Sequence, residues 1–138
     1  MRKMKKMSLS TVVNKGGREG EAKSITGNLD LKTSMTKKDG YTNPEELFAA
    51  GLASCFNGAM SFPLERDGHG DKERTIRAEV TLLGDLPDYT TLHLAVTLTG
   101  HIEGLAKEDT VKYMKETEDI CPYTKAVKGN IEVTYEAE

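Results

Sequence analysis

One uncharged segment near the middle of the chain limits the folds that are open to it. Residues 47–62, LFAAGLASCFNGAMSF, carry no charged side chain and follow Asn43-Pro44-Glu45-Glu46. A capping residue, a proline at the first helical position and an acidic residue three positions after the cap are typical of a helix start. We therefore expect a helix that begins at Pro44, is buried on all sides and ends at Pro63.

This helix is expected in the core of a protein rather than in a membrane. Sixteen residues rise about 24 Å, which is less than the hydrocarbon core of a bilayer, about 30 Å. Small and polar residues also interrupt the segment: Gly51, Ser54, Asn57, Gly58 and Ser61. Residues 1–7 are basic, but no apolar segment follows them. We expect them to form a flexible tail and the protein to be cytoplasmic.

Short strands are predicted on the N-terminal side of the helix. Strand-forming residues occur over Ser8–Val13, Glu21–Ile25 and Leu29–Thr33, and the Gly16-Gly17 pair predicts a turn after the first of them. The polar stretch Thr36–Tyr41 ends this part of the chain. We expect these strands to form one small sheet.

A second group of elements is predicted on the C-terminal side. Ile76–Leu82 and Leu92–Leu98 alternate apolar and polar residues, so we expect a hairpin with its turn at Gly84–Tyr89. An amphipathic helix is expected over Ala106–Ile120. Cys121-Pro122 breaks that helix, a short helical turn restarts at Pro122, and the last strand contains Ile131, Val133 and Tyr135.

The predicted order is β-β-β-α-β-β-α-β, an α+β fold in which antiparallel or mixed sheets pack on the buried central helix and on the second, amphipathic helix. A length of 138 residues, 37% of them apolar and 30% charged, fits one globular domain over 1–138. The formal net charge of −3, with both signs interspersed, argues against nucleic acid as a partner.

Two cysteines and three histidines are the residues most suited to redox or metal chemistry. His69 lies in a glycine-rich loop, and His93 and His101 are expected at the surface beside a strand. No CxxC, HxxxH or comparable ligand spacing occurs in the sequence. We therefore predict no metal site.

Each candidate residue also has an ordinary structural explanation. A cysteine within an apolar helix, such as Cys55, is usually a small buried hydrophobe, and Cys121 lies at a helix boundary. Arg18 in a glycine-rich turn is explained by solvation, and Glu45 by the favourable position of an acid in a first helical turn. Only the combination of these residues points to an enzyme.

Two longer motifs, TNPEELFAAGLASCF around Cys55 and CPYTKAVKGNIEV from Cys121, resemble the organic hydroperoxide resistance (Ohr) proteins of the OsmC superfamily. The GGREG turn resembles the arginine-bearing segment of that family, and the resemblance covers residues 8–138. It implies an intertwined homodimer that reduces organic hydroperoxides through cysteine thiols. It also implies that no cofactor is needed and that dihydrolipoyl groups, rather than thioredoxin, supply the reducing equivalents.

The resemblance also implies roles for particular residues. Cys55 matches the peroxidatic cysteine, Cys121 the resolving cysteine, Arg18 the arginine that activates the thiol and Glu45 the acid that holds this arginine. The chain departs from the family pattern at GGREGE, at Thr124 where serine is common, and at Pro63. The LFAAG and CPY motifs favour the Ohr branch over the OsmC branch, which remains an alternative with broader peroxide use.

An arginine near Cys55 would solve a chemical problem that burial creates. An ordinary thiol with a pKa near 8.5 is only about 3% thiolate at pH 7, and burial lowers that fraction further. A guanidinium about 4 Å away stabilises a thiolate by up to about 4 kcal/mol at an effective dielectric constant of 20. Glu45 lies ten positions before Cys55, about 15 Å along a helix. We therefore expect Glu45 to orient Arg18, and Arg18 to move away before Cys121 reacts.

Apolar side chains on the central helix are candidates for binding the organic part of a substrate. Phe48, Leu52, Phe56 and Met60 would favour an alkyl or lipid hydroperoxide over hydrogen peroxide. The alternative is that these side chains simply form the core. A non-catalytic redox-sensing domain, in which the two cysteines act as a switch without turnover, also remains open.

Overall fold

The structure is a computed structural model that describes residues 2–138. The chain divides into two compact units, one that ends at Pro44 and one over Glu45–Glu138. Residues 2–7 of the predicted basic tail are exposed and belong to no helix or strand, and Met1 lies outside the described residues. The single domain expected from the sequence stays a prediction.

The N-terminal unit is an antiparallel sheet of three short strands in the order β1-β2-β3. The strands are β1 (Val12–Lys15), β2 (Glu21–Ser24) and β3 (Asp30–Lys32). The first strand begins four residues later than the sequence predicted. The reason is that only the residues from Val12 to Lys15 have pairing partners in β2. Side chains that alternate without a neighbouring strand do not form a β-ladder.

The C-terminal unit contains the remaining helices and strands. They are α1 (Pro44–Ala59), α2 (Ser61–Arg66), β4 (Arg74–Asp85), β5 (Asp88–Ile102), α3 (Lys107–Thr117), α4 (Pro122–Val127) and β6 (Glu132–Ala137). Strand β5 pairs antiparallel with β4 and parallel with β6. The sheet is therefore mixed, and the predicted α+β class is confirmed.

The helix expected to end at Pro63 is instead interrupted earlier and continues past it. α1 ends at Ala59, and α2 contains Pro63 at its third position. A proline in a first helical turn removes no intrahelical hydrogen bond, so it is tolerated there. The Arg74 guanidinium stabilises the interruption by donating to the Asn57 carbonyl at 3.0 Å and to the Ser61 hydroxyl at 2.7 Å.

One face of α1 and α2 forms the centre of the hydrophobic core. Leu52, Phe56, Met60 and Leu64 have no exposed surface and cluster with apolar residues of β5 and with Met114 of α3. By length and composition alone, the 23-residue stretch Pro44–Arg66 could cross a membrane. The apolar face of this stretch packs in the core of its own unit, so its apolar composition is also explained by its position as a core helix.

The expectation that α1 is buried on all sides is wrong. Glu46, Ala50, Ser54 and Gly58, spaced four residues apart along one face, are exposed. The β4–β5–β6 sheet covers the opposite face, so the side chains that point away from it have nothing in this unit to pack against. The face that remains exposed is made of small and polar residues.

The β4–β5 hairpin is longer than predicted and carries apolar residues at its exposed end. Its strands continue to Asp85 and resume at Asp88, whereas β6 pairs only with residues 95–100 of β5. The end of the hairpin is thus a ribbon of two strands. Its large exposed apolar side chains are Leu82, Leu83, Leu86, Tyr89 and Leu92.

Replacing a leucine in the core should cost far more stability than replacing one at the hairpin end. Leu64 has no exposed surface and Leu86 is 58% exposed. We expect Leu64→Ala to lower the free energy of unfolding by about 2–5 kcal/mol, through lost burial and a cavity, and Leu86→Ala to change it by less than about 0.5 kcal/mol. Urea unfolding monitored by circular dichroism measures both. Equal losses would contradict this account of the core.

Candidate active site

The two cysteines lie next to each other in the structure although 66 positions separate them in the sequence. The Cys121 thiol lies 3.5 Å from the Cys55 sulfur and donates to it. Both thiols are free. A disulfide bond has a sulfur–sulfur distance of about 2.05 Å, so the two atoms need to approach by roughly 1.5 Å to become bonded.

The two sulfurs differ in their access to solvent. Cys55 is on α1, in the turn between the buried residues Leu52 and Phe56, and is partly exposed. Cys121 has no exposed surface. A molecule arriving from solvent therefore meets Cys55 first, and Cys121 is accessible mainly to its neighbour.

Backbone hydrogen bonds at the junction of α3 and α4 determine the position of Cys121. Its N–H donates to the Thr117 carbonyl at 3.0 Å, and its own carbonyl accepts the N–H of Lys125 at 3.0 Å. Its backbone is extended, and Pro122 begins α4 directly after it. The prediction that Cys121 stands at a helix start before Pro122 is confirmed.

Tyr123 contacts the cysteine site through both its backbone and its ring. Its backbone N–H donates a hydrogen bond to the Cys55 sulfur. Its ring lies over Gly51, one helical turn before Cys55, so close that a Cβ atom at Gly51 would be 3.1 Å from the phenol oxygen. Glycine within a helix is unfavourable by about 1 kcal/mol relative to alanine. The closeness of the Tyr123 ring explains why position 51 is nevertheless a glycine.

The Cys55 thiol is less acidic in this structure than in water. Burial raises its pKa, and the adjacent Cys121 thiol raises it further, first through the hydrogen bond between the two sulfurs and then through charge repulsion. The Tyr123 N–H acts in the opposite direction, since a donor stabilises the charged sulfur. A nearby positive charge would oppose this rise, and its presence beside Cys55 stays a prediction.

Arg18 lies in a turn that is more constrained than the sequence indicated. The turn is a 3₁₀ segment over Gly17–Glu19, in which Gly16 and Gly17 have φ values of 88° and 64°, a region that suits glycine. Asn14 donates to the Gly17 carbonyl at 3.2 Å and accepts its N–H at 3.0 Å. The Thr33 hydroxyl donates to the same carbonyl at 3.2 Å. These bonds hold the backbone of the turn in one conformation.

The two predicted partners of the activation step belong to different units. Arg18 is exposed in the N-terminal unit, and Glu45 is half-buried in the first turn of α1. The pairing of Arg18 with Glu45, and the reach of Arg18 to Cys55, stay predictions.

The four residues predicted to bind the organic part of a substrate do not share one environment. Leu52, Phe56 and Met60 have no exposed surface and belong to the core, and Phe48 is partly exposed beside it. A substrate could contact the three buried residues only if their neighbours moved. Their role in substrate binding stays a prediction.

The histidines lie at the surface or in a loop, as the sequence indicated. His93 and His101 are in β5, and His101 contacts Glu103 and the Glu138 carbonyl. His69 lies beside Tyr113, and its Nδ1 atom is buried without a hydrogen-bond partner. Within residues 2–138, no three His, Cys, Asp or Glu side chains are arranged to hold a metal ion. Independence from metals stays a prediction.

Sequence reasoning missed the contacts of three residues at this site. Gly51 and Tyr123 were given no role, and Thr124 was noted only as a departure from a motif. A glycine within an otherwise helical pattern was the one available signal, since such a residue often marks a close approach. The site is thus a pair of neighbouring thiols between α1 and the start of α4.

Comparisons with known proteins agree with this fold. The profile of OsmC-like proteins matches residues 37–136. The organic hydroperoxide resistance protein-like 1 of Staphylococcus epidermidis is 40% identical over 131 residues, which is 91% of each chain. A Staphylococcus aureus protein named organic hydroperoxide resistance protein-like is 39% identical over 127 residues, 87% of each chain.

Solved structures give the same result. The organic hydroperoxide resistance protein OhrB of Bacillus subtilis has a TM-score of 0.85 at 31% identity, with 96% of this chain and 100% of that chain covered. An organic hydroperoxide resistance protein of Elizabethkingia anophelis has a TM-score of 0.85 at 30% identity, with 98% and 99% covered. The chain belongs to the OsmC family, and within it to the group named for organic hydroperoxide resistance.

Two glycines of α1 should respond differently to alanine. A Cβ atom at Gly58 meets nothing within 4 Å, so we expect Gly58→Ala to raise the free energy of unfolding by about 0.5–1 kcal/mol. At Gly51 the new methyl group must displace the Tyr123 ring, and we expect a gain smaller by roughly 0.5 kcal/mol or more. Urea unfolding measures both. Equal gains would show that Tyr123 does not restrict this position.

Proposed function

We propose that this chain is a thiol-dependent peroxidase that reduces organic hydroperoxides to alcohols and thereby removes organic peroxides from the cell. One observation carries the proposal: two free thiols lie 3.5 Å apart, and only the first of them is accessible from solvent. An accessible nucleophile beside a buried second thiol suits a reaction in two steps. The names of the relatives support organic hydroperoxides as the substrates.

In the first step, the Cys55 thiolate attacks one oxygen of the hydroperoxide. The O–O bond breaks, the sulfur becomes a sulfenic acid, and the alkoxide that leaves takes up a proton and departs as an alcohol. The sulfur is oxidised by two electrons and the peroxide is reduced by the same two. Cys55 is suited to this step because it is the partly exposed thiol.

In the second step, Cys121 attacks the sulfenic sulfur of Cys55. A disulfide forms and the hydroxyl group leaves with a proton as water. Cys121 already contacts Cys55 before any oxidation, so we expect this step to need only a small movement of the α3–α4 junction. The disulfide is transient.

A dithiol must then reduce the disulfide to complete the cycle. We propose a dihydrolipoyl-bearing protein as the reductant, whose two thiols become a cyclic disulfide while Cys55 and Cys121 regain their protons. Net, one hydroperoxide and one dithiol give one alcohol, one water and one disulfide. No cofactor is held by the enzyme in this scheme, and neither nucleic acid nor a membrane takes part.

Arg18 supplies the positive charge that the first step requires in this proposal, and Glu45 orients it. The raised pKa of Cys55 supports the need for such a charge. The hydrogen bonds that constrain the Gly17–Glu19 turn support a fixed location for the arginine backbone. In the transition state, the same guanidinium would stabilise the departing alkoxide.

We further propose that the protein acts as a cytoplasmic homodimer. The apolar end of the β4–β5 hairpin supports a second copy as the partner, because large exposed apolar patches mark interaction surfaces. A reducing compartment suits two adjacent cysteines that are free between turnovers.

Substitution of each cysteine separates the two steps. We expect Cys55→Ser to abolish steady-state reduction of tert-butyl hydroperoxide by dihydrolipoamide, because it removes the nucleophile. Cys121→Ser should reduce about one equivalent of peroxide and then stop, because its sulfenic acid has no partner thiol. Retained turnover in Cys55→Ser would defeat the assignment.

The same assay on the unmodified protein tests the other functions. Oxidation of one equivalent without turnover would identify a redox-sensing domain instead of an enzyme. Comparable rates with hydrogen peroxide and with tert-butyl hydroperoxide would favour the OsmC branch, with its broader peroxide use.

Removal of the proposed cation should shift the pH dependence of the first step. A positive charge stabilises the thiolate, which is the charged form, and so lowers the pKa of Cys55; its loss in Arg18→Ala raises that pKa. The rate of sulfenic acid formation increases with pH, and we expect its midpoint to move up by roughly 1–3 pH units. Stopped-flow oxidation measures it.

Lys15→Ala is the matched control, since it removes a positive charge from the strand that precedes the same turn. It should leave the midpoint in place. Identical pH profiles for Arg18→Ala and the unmodified protein would reject the activating role.

A further inference from the structure

The hydroxyl of Thr124 lies at the junction that carries the second cysteine. Thr124 is 1% exposed. Its Oγ1 donates to the Glu118 carbonyl, 2.8 Å away, and lies 3.1 Å from the Cys121 carbonyl. Glu118 follows the last residue of α3, where helix carbonyls have no intrahelical donor. One side chain on α4 thus joins the end of α3 to the residue that bears the buried sulfur.

The side chain of Glu118 is bonded to a residue that packs in the core. The Tyr135 hydroxyl donates to the Glu118 carboxylate at 2.7 Å. The Tyr135 ring stacks on Phe56, the neighbour of Cys55 in α1, with 5.8 Å between ring centroids. Burial, followed by the bond to Glu118, raises the pKa of Tyr135, so its hydroxyl remains a donor. A continuous set of contacts therefore connects α1 to the junction of α3 and α4 that carries Cys121. Its members are Phe56, Tyr135, Glu118 and Thr124.

We propose that Thr124 is a positioning residue that holds Cys121 against Cys55 and thereby sets the rate of disulfide formation. The inference rests on the proposed peroxidase function, and it concerns the second step of that reaction. Disulfide formation requires a narrow sulfur–sulfur geometry. Without the Thr124 hydroxyl, the Glu118 carbonyl loses this donor and the junction relaxes. The first step is affected much less, because neither contact of the Thr124 hydroxyl involves the Cys55 sulfur.

The test compares Thr124→Val with Thr124→Ser and Thr110→Val. Valine keeps the shape of threonine without its hydroxyl, and serine keeps the hydroxyl. Thr110 is the matched control, because it is 2% exposed and its hydroxyl donates to the carbonyl of Ala106, the residue before α3, at 3.1 Å. Stopped-flow oxidation with tert-butyl hydroperoxide measures both steps, and mass spectrometry measures sulfinic acid at Cys55.

We expect Thr124→Val to slow disulfide formation about tenfold, which corresponds to about 1.4 kcal/mol. Sulfenic acid formation should stay within about twofold of the unmodified rate, and sulfinic acid should accumulate because the sulfenic acid persists. Thr124→Ser should restore the rate, and Thr110→Val should match the unmodified protein. Equal rates of disulfide formation in Thr124→Val and the unmodified protein would overturn the inference.

Equilibration of the Cys55–Cys121 disulfide with glutathione separates this inference from the proposed function, because it needs no peroxide. We expect Thr124→Val to lower the equilibrium constant for the disulfide about tenfold, or about 30 mV. If that shift occurs in a protein without peroxide turnover, the function fails and the positioning role of Thr124 for the thiol pair stands. If turnover is normal and neither the rate nor the equilibrium changes, the function stands and the positioning role fails.

A second variant keeps the inference testable if Thr124→Val does not fold. Tyr135→Phe keeps the ring on Phe56 and removes only the hydrogen bond to Glu118. We expect it to slow disulfide formation by roughly threefold, as loss of one modest hydrogen bond would, without slowing sulfenic acid formation. An unchanged rate of disulfide formation in Tyr135→Phe would then overturn the inference.

Discussion

The contact between the Cys55 and Cys121 sulfurs joins two parts of the chain that have no local reason to meet. One sulfur lies on a helix of the core and the other at a break between two helices, and 3.5 Å separates them. Their separation depends on the packing of α1 against the sheet and on the hydrogen bonds that end α3 and begin α4. Rigid, close-packed neighbours make such a distance reproducible.

Burial has opposite effects on the two cysteines. For Cys121, which reacts only with its neighbour in the proposed reaction, burial excludes other reactants from solvent. For Cys55, the same apolar surroundings raise the pKa and oppose the ionisation that a nucleophile requires. The backbone N–H of Tyr123 opposes this effect in part. A protein that uses such a site for catalysis must therefore add positive charge from outside the core, which gives Arg18 its place in the proposal.

Family membership and geometry contribute different parts of the functional conclusion. The relatives are named for resistance to organic hydroperoxides, which indicates the kind of molecule involved. The two thiols, one accessible and one buried, support the proposal of chemistry in two successive steps. Contacts around Thr124 and Tyr135 then connect the second thiol to the helix that bears the first.

Local signals in the sequence determined where most elements begin and which class of fold they form. Asn43-Pro44-Glu45-Glu46 predicted the start of α1, and Pro122 predicted the start of α4, because capping and proline effects act within one helical turn. Alternating residues predicted the β4–β5 hairpin. The motifs around Cys55 and Cys121 predicted that these two cysteines act together.

Only the tertiary structure decided which surfaces these elements share. One face of α1 is exposed because the β4–β5–β6 sheet covers only the opposite face. A hydrogen bond from Thr33 to Gly17, 16 positions away, constrains the turn that carries Arg18. The tertiary structure also placed the Tyr123 ring on Gly51 and the Thr124 hydroxyl on Glu118. Residue spacing carries information over one turn or one strand, whereas these contacts depend on how separate elements pack.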